Sequence, residues 1–147
     1  MTAMSHSSSW AGFTNPADAT IRDILATPRT IAVVGCSPDP SRDSHQIAAL
    51  LKAKGHTIIP VNPHCQEVLG EQCFPSLRAV PTRIEMVDVF RRSQFVGQVA
   101  EESIAVGASI LWLQLGVIDP AAAQRAHEAG LTVIMDRCPA IEYRRLF

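Results

Sequence analysis

The chain has 147 residues, the usual size of one domain, of which 47% are hydrophobic and 18% are charged. This composition is too apolar for a disordered protein, and a formal net charge of −1 gives no long-range field that would draw the whole molecule to nucleic acid or to a membrane surface. No apolar run approaches the roughly 18 residues of a membrane-spanning helix. We therefore expect one soluble domain without a nucleic-acid or membrane partner.

The first fourteen residues differ in composition from the rest of the chain. They are polar and rich in serine, and they lack the basic start and the apolar stretch of a signal peptide. We expect residues 1–14 to form a flexible tail, which Trp10 and Phe13 could pin to the body, and residues 15–147 to form the domain. The expected location is cytoplasmic, where the four cysteines stay reduced.

Helical and strand patterns alternate after this tail. The first helix is predicted to have Asn15 as its N-cap and to end at Thr27, before Pro28. Further helices are predicted over 44–54, 95–106 and 120–130, the last one capped by Asp119. Apolar, β-branched runs predict five strands, over 30–35, 56–63, 86–90, 109–113 and 131–135. A minor strand at 71–74 and a helical turn at 76–80 fall between the second and third of these strands.

The spacing of the five strands predicts the fold. Their starts recur every 22 to 29 residues or so, which is the rhythm of repeated βα units. The fold class is therefore α/β: a Rossmann-like, doubly wound parallel sheet with helices on both faces. In such a sheet ligands bind beyond the carboxyl ends of the strands, so the residues that follow each strand are the candidate site.

The first of these loops has the features of an anion site. Gly35 permits a tight turn, while Ser37, Arg42 and Ser44 place hydroxyl groups and a guanidinium beside a helix N-terminus. The loop has neither the GxGxxG pattern of a dinucleotide site nor the GxxxxGK[ST] pattern of a P-loop. Taken alone, it fits a connector that caps a helix equally well.

Six segments in order resemble one known family. The segments GCSPDPSRDSHQI, IIPVNP, EVLGEQCFPSL, VDVFR, LWLQLGV and MDRCPAIE are similar to those of the stand-alone CoA-binding domain proteins, which in turn resemble the N-terminal domain of the succinyl-CoA synthetase α subunit. The resemblance covers residues 20–147. It implies coenzyme A, or an acyl-CoA, as the bound cofactor.

The resemblance also implies which residues bind the cofactor. The loop that starts at Gly35 would hold the pyrophosphate, Asn62 and Pro63 would line the adenosine end, and the corner from Val89 to Arg91 would hold adenine and ribose. Arg91 or Arg92 would meet the 3′-phosphate, and Gln114, Gly116 and Cys138 would lie toward the thiol. The complete set of implied cofactor-binding residues is Gly35, Cys36, Ser37, Arg42, Ser44, His45, Asn62, Pro63, Val89, Phe90, Arg91, Gln114, Gly116 and Cys138.

Several side chains have competing interpretations. Cys138 is either a reactive thiol beside the thiol of the cofactor or a small packed residue. Cys65 and Cys73, with His64, are a weak metal candidate, and no metal site is expected. His56 and His127 are predicted to lie on the surface.

Three other functions remain open at this stage. One is an NAD(P)-binding oxidoreductase module, although Asn62 stands where such a domain carries an acidic residue. Another is a regulatory or partner-binding domain that senses CoA, and the third is a small hydrolase with Cys138 as nucleophile. The chain shows no complete catalytic set of residues, and 147 residues leave no room for the additional domains of an acyl-CoA ligase. The primary expectation is therefore a CoA-binding protein with no assigned reaction.

Overall fold

A computed structural model describes residues 8–147 of the chain. Its centre is a five-stranded sheet, whose strands are β3 (Thr30–Val34), β4 (Thr57–Val61), β7 (Met86–Val89), β8 (Ile110–Leu113) and β9 (Thr132–Ile134). The sheet is entirely parallel, with the strands in the order β4-β3-β7-β8-β9. The helices are α1 (Asp18–Ala26), α2 (Asp43–Ala53), α3 (Val96–Ala105), α4 (Pro120–Glu128) and α5 (Pro139–Leu146). The predicted α/β fold with a doubly wound parallel sheet is confirmed.

Two hydrophobic clusters cover the two faces of the sheet. Alternate strand residues such as Val87 and Leu111 pack with α3 and α4, whereas Ile31 and Trp112 point to the other side, toward α1, α2 and α5. Both faces are apolar because each one is covered by helices, which explains the unbroken apolar runs in the sequence. Within residues 8–147, no helix is long and apolar enough to cross a membrane.

Two small antiparallel hairpins lie outside the main sheet. The first joins β1 (Ser9–Trp10) to β2 (Phe13–Thr14), and Phe13 is buried in the core cluster beside α4. The second joins β5 (Glu67–Val68) to β6 (Glu71–Gln72) and precedes a 3-10 turn at Leu77–Ala79. The predicted flexible tail thus falls partly on this first hairpin and partly on residues 1–7, which lie outside the described residues.

Two local predictions about polar residues are wrong. Asn15 does not cap α1, whose N-cap is Ala17; its buried amide instead donates to the Met135 carbonyl and accepts the Met135 N–H. His56 is not on the surface but is 4% exposed. In both cases the polar side chain is satisfied by a partner far away in the sequence. The predicted cap at Asp119 is confirmed, since its carboxylate accepts the N–H of Ala122 at 3.0 Å.

The order of the strands places a crevice next to β3. From β3 the chain passes through α2 to β4 on one side, and later returns to β7 on the other side of β3. Successive connections therefore diverge at the carboxyl ends of β3 and β7. This is where a ligand is expected in a sheet of this type.

Candidate functional site

Gly35 and Phe90 form the floor of this crevice. Gly35 follows β3 with a φ of +85°, a left-handed conformation that costs a side chain energy. A Cβ on Gly35 would also overlap the backbone carbonyl of Phe90 and lie 3.5 Å from the Cδ of Arg91. Glycine is thus required twice here, by its backbone angle and by the close approach of the turn after β7.

The loop from Ser37 to α2 is held by its own side chains. The hydroxyl of Ser44 accepts the N–H of Ser37 at 3.0 Å, and the Ser37 hydroxyl accepts the N–H of Asp39 at 3.1 Å. One carboxylate oxygen of Asp39 accepts both the N–H and the hydroxyl of Ser41, each at 2.9 Å. The ring of His45 donates its Nδ1 proton to the Ser37 carbonyl at 3.0 Å. These bonds set the shape of the loop before any ligand arrives.

A first cavity of about 630 Å³ opens over this loop, between α2 and α5. Its apolar walls come from side chains such as Ile47, Phe90 and Ile141. Its polar lining includes the Gly35 turn, Ser37, Ser44 and Gln114. A long, narrow ligand with apolar and polar parts would fit these walls.

Four arginines line the first cavity, namely Arg42, Arg91, Arg92 and Arg144. Within the part of the chain that the structure describes, none of the four forms an ion pair, and Asp43 is the only carboxylate among the lining residues. The guanidinium of Arg91 lies 4.4 Å over the ring of Phe95. The cavity is therefore strongly positive in a protein whose net charge is −1, and the N-terminus of α2 adds to this field.

A second cavity of about 410 Å³ lies on the other side of the crevice. It is lined by Asn62, Pro63, Ser76 and Gln98 among others, and it shares Gly35 and Arg91 with the first cavity. Asn62 is fixed in place because its amide donates to the Cys36 carbonyl at 2.9 Å and accepts the N–H of His64 at 2.8 Å. Arg91 thus stands on the ridge between the two cavities.

A buried carboxyl group lies under the first cavity. Asp88 on β7 is 0% exposed, and its Oδ1 accepts a hydrogen bond from Nε2 of Gln114 at 2.5 Å. Its Oδ2 has no partner among the described residues. Burial raises the pKa of Asp88 to about 7, against the opposing effect of the Gln114 hydrogen bond. Gln114 thus connects the buried carboxyl group of Asp88 to the wall of the first cavity.

Ten of the fourteen implied binding residues line one or both cavities. These are Gly35, Ser37, Arg42, Ser44, Asn62, Pro63, Phe90, Arg91, Gln114 and Cys138. The other four do not line either cavity: Cys36 and Val89 are fully buried, His45 supports the loop, and Gly116 is exposed and donates its N–H to Asp136 at 2.8 Å. The order of the strand ends in the sequence therefore locates most of the cavity wall.

Some lining and supporting residues were not predicted. Ile141 and Arg144 reach the first cavity from α5, a helix that the sequence analysis does not identify. The hydroxyl of Ser93 donates to the Gly116 carbonyl and accepts the N–H of Ile118, which ties the loops after β7 and β8 together. For Asp88 a signal exists, because a carboxylate inside the apolar run MVDVF needs an explanation. The α5 residues carry no comparable signal.

One of the four cysteines, Cys138, lies at the first cavity, and two others belong to the candidate metal group. Cys138 is half-buried at the start of α5 and lines the first cavity. The guanidinium of the preceding residue, Arg137, donates to the Asp136 carbonyl and to the Ser8 hydroxyl and lies 3.9 Å from Glu142. Within residues 8–147, no group of three or more His, Cys, Asp or Glu side chains is placed to hold a metal ion. The metal alternative at Cys65, Cys73 and His64 therefore has no support.

Comparison with known proteins relates this fold to a family. The model of the CoA binding domain family matches residues 29–144. The uncharacterized protein YneT of Bacillus subtilis (strain 168) is 43% identical over 124 residues, which are 84% of this chain and 92% of that protein. A solved structure of a hypothetical protein from Pyrococcus horikoshii OT3 has a TM-score of 0.85 at 38% identity, covering 89% of this chain and 92% of that chain.

A shorter match joins the chain to a larger enzyme. The ADP-forming acetate–CoA ligase I of Archaeoglobus fulgidus is 30% identical over 78 residues, which are 53% of this chain and 11% of the ligase. The similarity therefore covers most of two small proteins and one segment of a long one.

Proposed function

Because the chain belongs to the CoA-binding domain family, we propose that it binds coenzyme A, or an acyl-CoA, across the crevice between β3 and β7. The carrying observation is the cluster of four arginines around the first cavity, beside the N-terminus of α2. Coenzyme A carries a pyrophosphate and a 3′-phosphate, and guanidinium groups and helix N-termini are the usual partners of phosphate. We assign binding and no reaction.

The pyrophosphate is proposed to lie against the loop from Gly35 to Ser44. There Ser37 and Ser44 line the cavity, and Arg42 supplies a positive charge. The adenosine end is proposed to extend toward Asn62 and Pro63 in the second cavity. Arg91 lines both cavities, which suits contact with the 3′-phosphate, because this group is attached to the ribose that joins adenine to the pyrophosphate.

The thiol end is proposed to lie near Gln114 and Cys138. The side-chain amide of Gln114 suits the amide groups of the pantetheine arm, and the apolar walls suit its methylene groups. Of the four cysteines, Cys138 lines the first cavity. Incubation with CoA disulfide should therefore leave a CoA adduct on the tryptic peptide 138–144, and an unmodified peptide would argue against this orientation. The four free thiols also suit a reducing, cytoplasmic compartment.

Two measurements test the proposal as a whole. Native mass spectrometry of the purified protein should show a retained mass equal to that of CoA. Calorimetry should then give micromolar affinity for CoA and weaker binding of NAD and ATP, which lack the 3′-phosphate and the pantetheine arm. Tighter binding of NAD than of CoA would instead favour an oxidoreductase module and overturn the proposal.

A further inference from the structure

A pair of thiols lies outside both cavities, at the base of the hairpin formed by β5 and β6. Cys65 precedes β5 and Cys73 follows β6, and their sulfur atoms are 3.2 Å apart. Both cysteines are free. A disulfide has a sulfur–sulfur distance of about 2.05 Å, so a small rotation of the two side chains brings the pair to bonding distance.

The hairpin holds the two thiols together. The N–H of Cys73 donates to the Gln66 carbonyl at 2.8 Å, which closes the hairpin at the level of the thiols. The next residue, Phe74, donates its N–H to the Pro60 carbonyl and accepts the N–H of Asn62, so the hairpin is anchored to the end of β4. These hydrogen bonds keep the two sulfur atoms close, so forming a bond between them costs little chain entropy.

The two thiols differ in exposure and in chemistry. Cys65 is partly exposed, whereas Cys73 is 7% exposed. Burial, followed by the hydrogen bond with Cys65 and the charge of that neighbour, raises the pKa of Cys73 to about 12. The last two causes disappear when the sulfur of Cys65 is bonded to another sulfur, which makes Cys73 easier to ionise at that moment. Thiol–disulfide exchange needs one thiol that a dissolved disulfide can reach and a second thiol close enough to attack the mixed disulfide, and the positions of Cys65 and Cys73 meet both conditions.

We propose that Cys65 and Cys73 form a redox-active pair that reduces small-molecule disulfides and is thereby oxidised to an intramolecular disulfide. In the first step the Cys65 thiol releases its proton, and the thiolate attacks a disulfide RSSR; a bond forms between Cys65 and one sulfur, and RS⁻ leaves and takes up a proton. In the second step the Cys73 thiol releases its proton and its sulfur bonds to the sulfur of Cys65; the bond between Cys65 and the first R–S group breaks, and the second RS⁻ leaves and takes up a proton. One disulfide is reduced to two thiols, and the two cysteines lose two hydrogen atoms.

The other two cysteines do not compete for this role. Cys36 is 0% exposed, so a dissolved disulfide cannot reach its sulfur, whereas Cys65 is partly exposed. Cys138 lies at the start of α5 and lines the first cavity, whereas neither thiol of the hairpin pair lines either cavity. The pair thus lies outside the lining of both cavities, although the Cys73 thiol donates at 3.5 Å to the carbonyl of Asn62, which lines the second cavity.

Tryptic mapping of the full-length protein tests the proposal, because peptide 55–78 contains Cys65 and Cys73 and no other cysteine. The reduced protein is incubated with oxidised glutathione, the remaining thiols are alkylated, and the peptides are weighed. We expect peptide 55–78 to become lighter by two hydrogen atoms and to escape alkylation. The reaction should also release two molecules of reduced glutathione per chain. A peptide that stays fully alkylated, or that keeps a glutathione adduct, would overturn the proposal.

Matched variants assign the two roles. Cys73→Ser should trap one glutathione on Cys65, whereas Cys65→Ser should leave peptide 55–78 without an adduct. Cys138→Ser is the control and should form the same cross-link at the wild-type rate. Circular dichroism of each variant confirms that it is folded, and the wild-type result decides the proposal even where a variant is not. Cross-linking without CoA binding, or the reverse, would separate this inference from the proposed function.

Discussion

The two edges of the main sheet differ in how their polar groups are satisfied. Each of the strands β3, β4 and β7 is preceded by a polar residue, namely Arg29, His56 and Glu85, and Arg29 contacts both of the others. The residues that follow the same strands line the two cavities instead. The Nδ1 of His56 accepts the N–H of Arg29 at 3.0 Å, and Glu85 accepts the N–H of Thr30 at 3.2 Å. His56 also donates from Nε2 to the Tyr143 hydroxyl at 2.9 Å, and that hydroxyl donates to the Leu25 carbonyl at 3.0 Å.

The carboxyl edge leaves comparable groups less fully satisfied. Within residues 8–147, the four guanidinium groups of the first cavity form no ion pair, and one buried carboxylate oxygen of Asp88 has no hydrogen-bond partner. An unsatisfied buried polar group costs about 1–3 kcal/mol, which a folded chain tolerates only in a few places. One edge of the sheet thus contributes stability, while polar groups at the other edge surround the site proposed for CoA. Changes at the two edges should separate these two roles.

The largest expected effect is at Gly35. In Gly35→Ala the new Cβ would meet the Phe90 carbonyl in a backbone conformation that alanine disfavours. We expect a loss of roughly 2–4 kcal/mol in the free energy of unfolding, together with loss of CoA binding. Urea unfolding and calorimetry measure the two effects. Gly107→Ala is the matched control, since its φ is +76° but its Cβ would meet nothing within 4 Å; it should cost about 1 kcal/mol and leave binding intact.

Arg91 tests the carboxyl edge without changing the fold. Arg91→Ala should weaken CoA binding by roughly 1.5–3 kcal/mol but weaken dephospho-CoA binding less, because dephospho-CoA lacks the 3′-phosphate. Calorimetry with both ligands gives the difference. Arg83→Ala, at an exposed position before β7, is the control and should bind both ligands as the wild type does. An equal loss for the two ligands would mean that Arg91 does not meet the 3′-phosphate.

A substitution at Asp88 should show that the unsatisfied polar groups of the carboxyl edge lower the free energy of unfolding. A carboxyl group in the unfolded chain titrates near pH 3.9 or so, whereas burial raises the pKa of Asp88 to about 7. The folded protein therefore holds a proton that the unfolded chain has lost, and stability falls as the pH rises through this interval. Asp88→Asn cannot ionise, so at pH 8 it should be more stable than the wild type by roughly 1–3 kcal/mol, and at pH 4 the two should match.

Urea titrations at these two pH values make the Asp88 comparison. Gln114 keeps its acceptor in Asp88→Asn, because the asparagine oxygen can occupy the place of Oδ1. If the variant were instead less stable at pH 8, the ionised carboxylate would have a stabilising partner, and the contrast between the two edges would fail.

The smallest expected effect is at the amino edge, at His56. Burial and the charge of Arg29 lower the pKa of His56, so its ring takes up a proton at a lower pH in the folded protein than in the unfolded chain. The unfolded chain takes up a proton first as the pH falls below about 6.5, and stability is lost from there downward. His56→Asn should lack this pH dependence and cost about 1 kcal/mol at neutral pH through the lost hydrogen bonds. His127→Asn, an exposed position on α4, should retain the wild-type pH dependence in urea unfolding.

The main sheet and the family were predictable from the sequence, and both predictions are confirmed. The five strands are visible because each is buried on both faces and so contains an uninterrupted apolar run. Helix α5 was missed because it is only eight residues long, and its buried residues, Pro139 and Glu142, give no apolar periodicity. His56 was misplaced because its burial depends on Tyr143, which is 87 residues away.

The residues of the candidate site also include some that the sequence could locate and some that it could not. Gly35, Phe90 and Gln114 were located because parallel strands all end at one edge of the sheet, so that position in the sequence implies position in space. Arg144 could not be located, since only the packing of α5 against α1 and α2 brings it to the cavity. The role of Asn15 likewise depends on Met135, at a separation of 120 residues.

The self-bonded loop from Ser37 to Ser44 has a kinetic consequence. Because its serine, aspartate and histidine side chains already fix its shape, a phosphate group would meet a preorganised surface rather than a chain that must first become ordered. The entropic cost of ordering this segment belongs to folding, so ligand capture should proceed in one kinetic phase. Stopped-flow mixing should accordingly give an observed rate that rises linearly with ligand concentration, without the plateau that a slow loop closure would impose.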